Sequence, residues 1–295
     1  MFINAINYNK PVFRPPGEAR SAILQATLGC SWNKCAFCEM YTSKKFKSRS
    51  FDDLKPEIHV LAQAYKGVKK IFLADGNAFV LSANKLNSIL QEINYQFGKI
   101  QRISSYALPK DIFSKSEAEL KELRANGLKL LYVGIETGDD ELLKRIHKGE
   151  TYNSTIDGIL KAHNAGIDTS IMIINGLGGR KYSVQHALRS ADIINKLNPK
   201  FLSTLTLSMP FGEDNYKKKF KGEFQQQTIV ELFKELKIFI ENINVNATIY
   251  RSDHVSNNLV LKGVLSRDND HLTEILDYAI ENTDHNKYPS APSIL

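Results

Sequence analysis

From Ser21 to about Ile243, short apolar runs alternate with amphipathic stretches. The apolar runs are Ala22–Leu28, Lys70–Leu73, Ile103–Ala107, Lys129–Ile135, Thr169–Ile174 and Phe201–Leu207. Most are continuous and rich in branched or aromatic residues, as in parallel strands buried on both faces. Residues 51–67, 82–97, 114–126, 152–165 and 183–197 read as helices, and Gly67, Gly98, Gly127 and Gly166 stand where a helix ends in a left-handed residue. A further helix is predicted over 228–243, then a β-like piece at 246–250 and a terminal helix near 270–282. Strand and helix alternating about six times imply a parallel sheet, either open and doubly wound or curled into a barrel.

The unusual segments all follow strands. After the first comes a cysteine-bearing loop, after the second Ala74-Asp75-Gly76-Asn77, and at the third Ser104-Ser105-Tyr106. Gly134-Ile135-Glu136-Thr137-Gly138 lies at the fourth, Asn175-Gly176-Leu177-Gly178-Gly179 after the fifth and Ser208-Met209-Pro210 after the sixth. Only a barrel brings six strand ends to one rim. The expected fold is therefore an α/β barrel with a short C-terminal extension. Its expected organisation is an N-terminal arm over 1–20, a barrel core over 21–243 and an extension over 244–295 that closes the barrel mouth. No linker, low-complexity tract or internal repeat marks a second large domain.

Composition adds little to this picture. The first twenty residues hold no apolar stretch like a signal peptide, and no run approaches the roughly 20 apolar residues of a membrane span. A reducing, cytoplasmic setting without membrane contact is expected. The net charge of +7 comes from 39 Lys+Arg against 32 Asp+Glu, with basic runs at Lys44-Lys45-Phe46-Lys47 and Lys217-Lys218-Lys219. Such runs could meet phosphates, but without a nucleic-acid-binding module beside them they read as solvated faces.

The cysteines change the picture. All three fall within Cys30-Ser-Trp-Asn-Lys-Cys35-Ala-Phe-Cys38, a C-x4-C-x2-C spacing, and the chain holds no other. Soft thiolates so grouped suit zinc, copper or an iron–sulfur centre. A structural zinc wants four ligands, and the nearest histidine, His59, lies well downstream in a predicted helix. An odd count argues against a disulfide framework. Plant-type ferredoxin sites open with this spacing but need a further cysteine. A [4Fe–4S] cubane on three thiolates leaves one iron without a cysteine, open to substrate or cofactor.

With these segments the chain resembles the radical S-adenosylmethionine (radical SAM) enzymes, from roughly Ala22 to Pro210, and the resemblance implies their α/β fold, a partial (β/α)6 TIM-like barrel, here with a short C-terminal extension. The resemblance implies that Cys30, Cys35 and Cys38 hold the cluster, whose open iron takes the amino and carboxyl groups of S-adenosylmethionine. One-electron reduction would then release a 5′-deoxyadenosyl radical that abstracts hydrogen from a substrate. Phe37 matches the aromatic residue before the last cysteine, beside the adenine. Asp75-Gly76-Asn77 looks like a variant of the glycine-glycine-glutamate turn that receives the methionine amino group, and Ser105 is similar to the polar residue near the carboxylate. Glu136 resembles the residue that accepts from the ribose hydroxyls, and Asn175, Gly176 and Gly178 fall in the segment that passes under the adenine. Two departures stand out: the commonest spacing in that family is C-x3-C-x2-C, and Asp-Gly-Asn replaces Gly-Gly-Glu.

Once three cysteines are committed, none remains in these 295 residues for an auxiliary cluster, as methylthio transfer and sulfur insertion require, or for cysteine-based methyl transfer to RNA. The substrate side is expected to draw on Tyr106 and on the polar segment Tyr250–Asn258, through Arg251, His254 and Asn257. The resemblance also implies a reducing electron donor such as flavodoxin or ferredoxin. A small-molecule substrate is the first expectation, with a tRNA or a glycyl-radical partner protein as alternatives. The competing reading is an iron–sulfur electron carrier or redox sensor without cofactor turnover.

Overall fold

The computed structural model describes residues 6–289; residues 1–5 of the expected arm and 290–295 of the expected extension lie outside them. The strands are β1 (Ala22–Gln25), β2 (Thr27–Leu28), β3 (Lys47–Ser48), β4 (Lys70–Ala74), β5 (Arg102–Tyr106), β6 (Leu128–Glu136), β7 (Asp168–Asn175), β8 (Phe201–Thr206), β9 (Thr248–Ser252) and β10 (Leu261–Leu265). The helices are α1 (Phe51–Ala64), α2 (Ala83–Phe97), α3 (Pro109–Phe113), α4 (Glu117–Ala125), α5 (Asp140–Arg145), α6 (Tyr152–Asn164), α7 (Gly179–Leu197), α8 (Glu213–Lys219), α9 (Ile229–Glu241) and α10 (Asn269–Asn282). The chain is α/β, with mostly parallel strands alternating with helices.

Two compact units form. Among the described residues, the first comprises 6–33, 39–133 and 157–169; the second comprises 34–38, 134–156 and 170–289. In the first, β1 pairs with β4, β4 with β5 and β5 with β6, all parallel, so that Leu73 lies beside Ser105 and Ser105 beside Leu131. Burial runs through these strands without alternation, as continuous apolar runs require. The helices start on side-chain caps: Ser50 accepts from Asp53 N at α1, Ser82 from Lys85 N at α2, and Ser116 with Glu119 forms a capping box at α4. Gly67, Gly98, Gly127 and Gly166 all adopt positive φ after their helices. Residues of the arm pair with β1: Asn9 N donates to Gln25 Oε1 and Gln25 Nε2 returns a bond to Asn9 O, both at 2.9 Å. Glu18, fully buried, accepts from Tyr132 Oη at 2.8 Å and pairs with Arg102 at 2.5 Å.

In the second unit β7 pairs with β8 and β8 with β9 in parallel, while β10 returns antiparallel to β9. The piece anticipated at 246–250 thus docks beside β8 as a further parallel strand. An apolar cluster of Leu142, Ile146, Leu177, Tyr182, Tyr216 and Phe220 draws on the segments that follow β6, β7 and β8.

Several boundaries differ from expectation. The expected first strand breaks at Ala26, whose N–H turns to Ala74 O at 2.7 Å, and its last two residues pair antiparallel with β3. The helix expected over 114–126 begins at Glu117, where Ser116 caps it, and a separate short helix, α3, precedes it. The helix expected from 183 begins at Gly179, where two glycines weaken the helical pattern but fit the turn. The short helices α5 and α8 carry too few turns for their periodicity to register in the sequence.

Candidate cofactor site

In the first unit the loop after β4 is enclosed by the start of the cysteine segment. Gly76 N donates to Gly29 O at 3.2 Å. A Cβ at Gly76 would overlap the Tyr41 ring and come within 3.0 Å of Cys30 Cβ, so this turn admits only glycine. Asp75 is fully buried, and its Oδ2 accepts from Lys44 Nζ at 2.7 Å, Gly29 N at 3.1 Å and Gln25 Nε2 at 3.3 Å. Asn77, also fully buried, donates through Nδ2 to Ser31 Oγ at 2.8 Å and to Asp111 Oδ2 at 2.6 Å. Asp75 Oδ1 and Asn77 Oδ1 are both buried without a protein partner. Ser105 Oγ is committed to backbone, bonding Tyr106 O at 2.9 Å and Leu73 O at 3.3 Å. Tyr106 stacks edge-on against Phe72 and Tyr132, with centroids 5.1 and 6.2 Å away.

In the second unit Glu136 ends β6 in the left-handed region, at φ 67°. Its side chain curls back over Gly134, where a Cβ would overlap the carboxylate. Lys148 Nζ binds Glu136 Oε1 at 2.7 Å, and both side chains are buried. Burial would lower the Lys148 ammonium, but Glu136, with Cys35 and Cys38 nearby, outweighs it and holds the group above the usual lysine range. The same ammonium sits 5.7 Å from the Phe37 ring centre. Phe37 packs on the apolar cluster, and Ala36 N donates to Ile146 O at 2.9 Å, which fixes segment 34–38 against the loop after α5.

The Asn175–Gly179 turn is held from beneath. Gly176, at φ 81°, donates its N–H to the buried carboxylate of Glu235 at 2.7 Å, and Gln227 Nε2 reaches the other oxygen at 3.1 Å. A Cβ at Gly178 would lie 2.6 Å from Tyr182 Cβ. His186, buried, donates through Nε2 to Ile174 O at 3.0 Å and accepts at Nδ1 from Thr137 Oγ1 at 2.8 Å. It therefore ties the residue after Glu136 to the strand that precedes the glycine turn.

Asn257 spends its amide on the protein: Nδ2 donates to Thr204 O at 2.9 Å and Ser252 Oγ at 3.0 Å, and Oδ1 accepts from Thr206 Oγ1 at 3.1 Å. This seats loop 253–258 on the end of β8. His254 Nδ1 bonds Ser256 Oγ at 2.8 Å, and burial lowers its pKa against the partial opposition of Asp253. Arg251 is exposed, with Nη1 on Tyr250 O at 2.9 Å.

The three cysteines are half-buried. Among the described residues no three Cys, His, Asp or Glu side chains converge as ligands of one metal ion. A cubane asks something different, since each thiolate binds its own iron at a separate corner. Thiolates are the donors such a cluster takes, and the two unpartnered acceptors at Asp75 and Asn77 suit the N–H donors of an amino group. Reading the sequence alone missed Lys44, Asp111, Lys148, His186 and Glu235. Lys148 lies in an Ile-His-Lys-Gly step twelve residues after Glu136, which no local pattern marks out.

Residues 24–194, more than half of the chain, match the family model described as the radical SAM superfamily, and the chain belongs to that superfamily. It is 25% identical over 166 residues to the tRNA-2-methylthio-N(6)-dimethylallyladenosine synthase of Prosthecochloris aestuarii, covering 54% of this chain and 37% of that one. Among solved structures, coproporphyrinogen III oxidase from Escherichia coli, itself a radical SAM enzyme, aligns with a TM-score of 0.58 at 20% identity over 76% of this chain and 54% of that one. Methylornithine synthase aligns at 0.51 and 14% identity, over 92% of this chain and 83% of that one. These likenesses support the expected fold. The chain spans about half or less of the length of the curated relatives it matches. It is an enzyme of the superfamily, and its cofactors are a [4Fe–4S] cluster and S-adenosylmethionine. Among the described residues no helix is long and apolar enough to cross a membrane.

The contact between Gly134 and Glu136 gives a direct test of this geometry. Gly134→Ala must displace a buried carboxylate already held by Lys148, and overpacking of this kind costs about 1–3 kcal/mol. A lowered midpoint in thermal or denaturant unfolding is expected; an unchanged one would mean that the carboxylate does not lie over Gly134.

Proposed function

We propose that this chain abstracts a hydrogen atom from a small-molecule substrate, with electrons delivered by a flavodoxin or ferredoxin. When bound, the cluster and S-adenosylmethionine together supply reductive cleavage of the sulfonium and a 5′-deoxyadenosyl radical. Cys30, Cys35 and Cys38 would hold the cluster. Asp75, Gly76 and Asn77 would receive the methionine amino group through carbonyl and carboxylate acceptors. Ser105, in β5, would lie near the methionine carboxylate, with its hydroxyl on the backbone carbonyls of Leu73 and Tyr106. Glu136 would accept from the ribose hydroxyls, and Phe37 with Asn175, Gly176 and Gly178 would bracket the adenine. Tyr106, Arg251 and His254 remain the candidates on the substrate side, with Asn257 holding the loop that carries His254.

The observation that carries this reading is the buried Glu136–Lys148 pair at the end of β6. A buried charge pair costs desolvation that an apolar pair of the same size avoids, so its presence at a strand end points to a task. An electron carrier or sensor, with no cofactor to seat, has no use for it. Lys148 occupies one carboxylate oxygen and leaves the other to accept from a vicinal diol.

Calorimetry on anaerobically reconstituted protein tests the assignment. Glu136→Ala is expected to weaken S-adenosylmethionine binding by about tenfold or more, the worth of hydrogen bonds to a charged acceptor, while iron and sulfide content stay at the wild-type level. Unchanged affinity would remove the ribose assignment. Reversible reduction of the wild-type protein without any S-adenosylmethionine cleavage would favour the electron-carrier reading instead.

A further inference from the structure

We infer that Asp111 is a positioning residue that orients the Asn77 amide so that its carbonyl oxygen, and not its NH2 group, receives the methionine amino group. This inference rests on the proposed reading of the Asp75–Asn77 turn. It explains how Asp-Gly-Asn can serve where Gly-Gly-Glu is the common form.

An asparagine amide has two faces of opposite hydrogen-bonding sense. Only the carbonyl can accept from the N–H groups of the methionine amine; the NH2 group, itself a donor, cannot. At Asn77 the choice is made by chemistry. An ionised carboxylate accepts and cannot donate, so Asp111 Oδ2, 2.6 Å from Asn77 Nδ2, requires the NH2 group on its side. Ser31 Oγ, at 2.8 Å, engages the same nitrogen, and both N–H bonds are used. Asn77 Oδ1 is then the atom left over, buried and without a partner. An unsatisfied buried acceptor is costly, and an N–H of the arriving methionine amine would relieve it.

Asp75 does not serve as well alone. Its Oδ2 is engaged by Lys44 at 2.7 Å, and Lys44 is itself fixed by Asn9 O and Pro11 O, both at 2.6 Å. The charge of Asp75 is thus matched within the protein, leaving Oδ1 as a second acceptor. The Asp111 carboxylate is differently placed: the nearby Lys115 ammonium bonds the carbonyls of Phe79 at 2.8 Å and Asp111 at 3.2 Å. The charge-assisted bond from Asn77 to Asp111 polarises the amide and strengthens its carbonyl as an acceptor.

The test compares S-adenosylmethionine with its analogue lacking the α-amino group, both titrated into cluster-loaded protein by calorimetry, with iron content measured for each variant. Asp111→Ala frees the amide to turn, and is expected to weaken S-adenosylmethionine binding by about tenfold to a hundredfold while affinity for the deamino analogue is kept. Asp111→Asn still offers a carbonyl to Asn77 Nδ2 and should recover most of the loss. Equal weakening of both ligands, loss of the cluster in Asp111→Ala, or an undiminished preference for S-adenosylmethionine would each overturn the inference. The last of these would do so while leaving the proposed turn intact. Wild-type protein that binds the two ligands equally well would instead overturn the assignment of the turn, and the inference with it.

Discussion

Replacing Cys30, Cys35 or Cys38 by alanine is expected to abolish the [4Fe–4S] cluster and all S-adenosylmethionine cleavage, the largest effect any single substitution in this chain should have. The chain contains three cysteines, so no thiol can substitute for a lost ligand. Two remaining thiolates would leave two corners of the cubane without protein ligands, and thiolates are the groups that hold such clusters. The loss should come without general unfolding. Cys30 rests against Gly76, and segment 34–38 is fixed by Ala36 N on Ile146 O and by Phe37 in the apolar cluster, none of which involves a sulfur atom. Anaerobic reconstitution followed by iron and sulfide analysis, Mössbauer spectroscopy and assay of 5′-deoxyadenosine checks this. A variant that retained a full cluster would show that the three cysteines are not its ligands, and a stable mononuclear zinc in strictly anaerobic wild-type protein would show that the centre is something else.

Much of this fold was legible because parallel strands buried on both faces leave continuous apolar runs, and because helices closed by glycine leave punctuation. Gly67, Gly98, Gly127 and Gly166 were readable as helix ends, and each adopts positive φ. The cysteine spacing and the placement of Glu136 two residues after Gly134 were equally visible, since both depend on neighbours in the chain. What stayed hidden depends on long-range contact. Lys44 meets Asp75 across 31 residues and Asp111 meets Asn77 across 34, and no local pattern distinguishes these side chains from surface charges. The basic run at Lys44-Lys45-Phe46-Lys47 illustrates the point: it reads as a solvated face, yet Lys44 is buried on a carboxylate while Lys45 and Lys47 are exposed. His186 and Glu235 were missed for the same reason, being polar residues on helical faces that otherwise look apolar.

Lys148→Met should be the most destabilising substitution at the site. It removes the partner of a carboxylate that is almost wholly buried and leaves Glu136 uncompensated, a change that costs about 3–5 kcal/mol in comparable pairs. In a chain of this size that corresponds to a fall in the thermal midpoint of roughly 6–20 °C. The double variant Glu136→Gln/Lys148→Met removes both charges and should regain much of the lost stability, since replacing a buried pair by neutral groups is often close to neutral. It should not regain affinity for S-adenosylmethionine, because the ribose would lose its charged acceptor. Stability and binding therefore separate in the double variant, which a purely structural ion pair would not produce. The pH dependence carries a sign as well. The Lys148 pKa is raised on folding, so its contribution is complete below the unfolded lysine value of about 10.4 and is lost only as pH climbs through the higher folded value. Wild-type protein should therefore lose this contribution above pH about 10.4, and the double variant should lack that part of the alkaline decline. Unfolding curves across that range, with calorimetry at neutral pH, decide the matter. A double variant no more stable than Lys148→Met, or one that binds the cofactor as tightly as wild type, would show that the pair does not hold the ribose carboxylate in place.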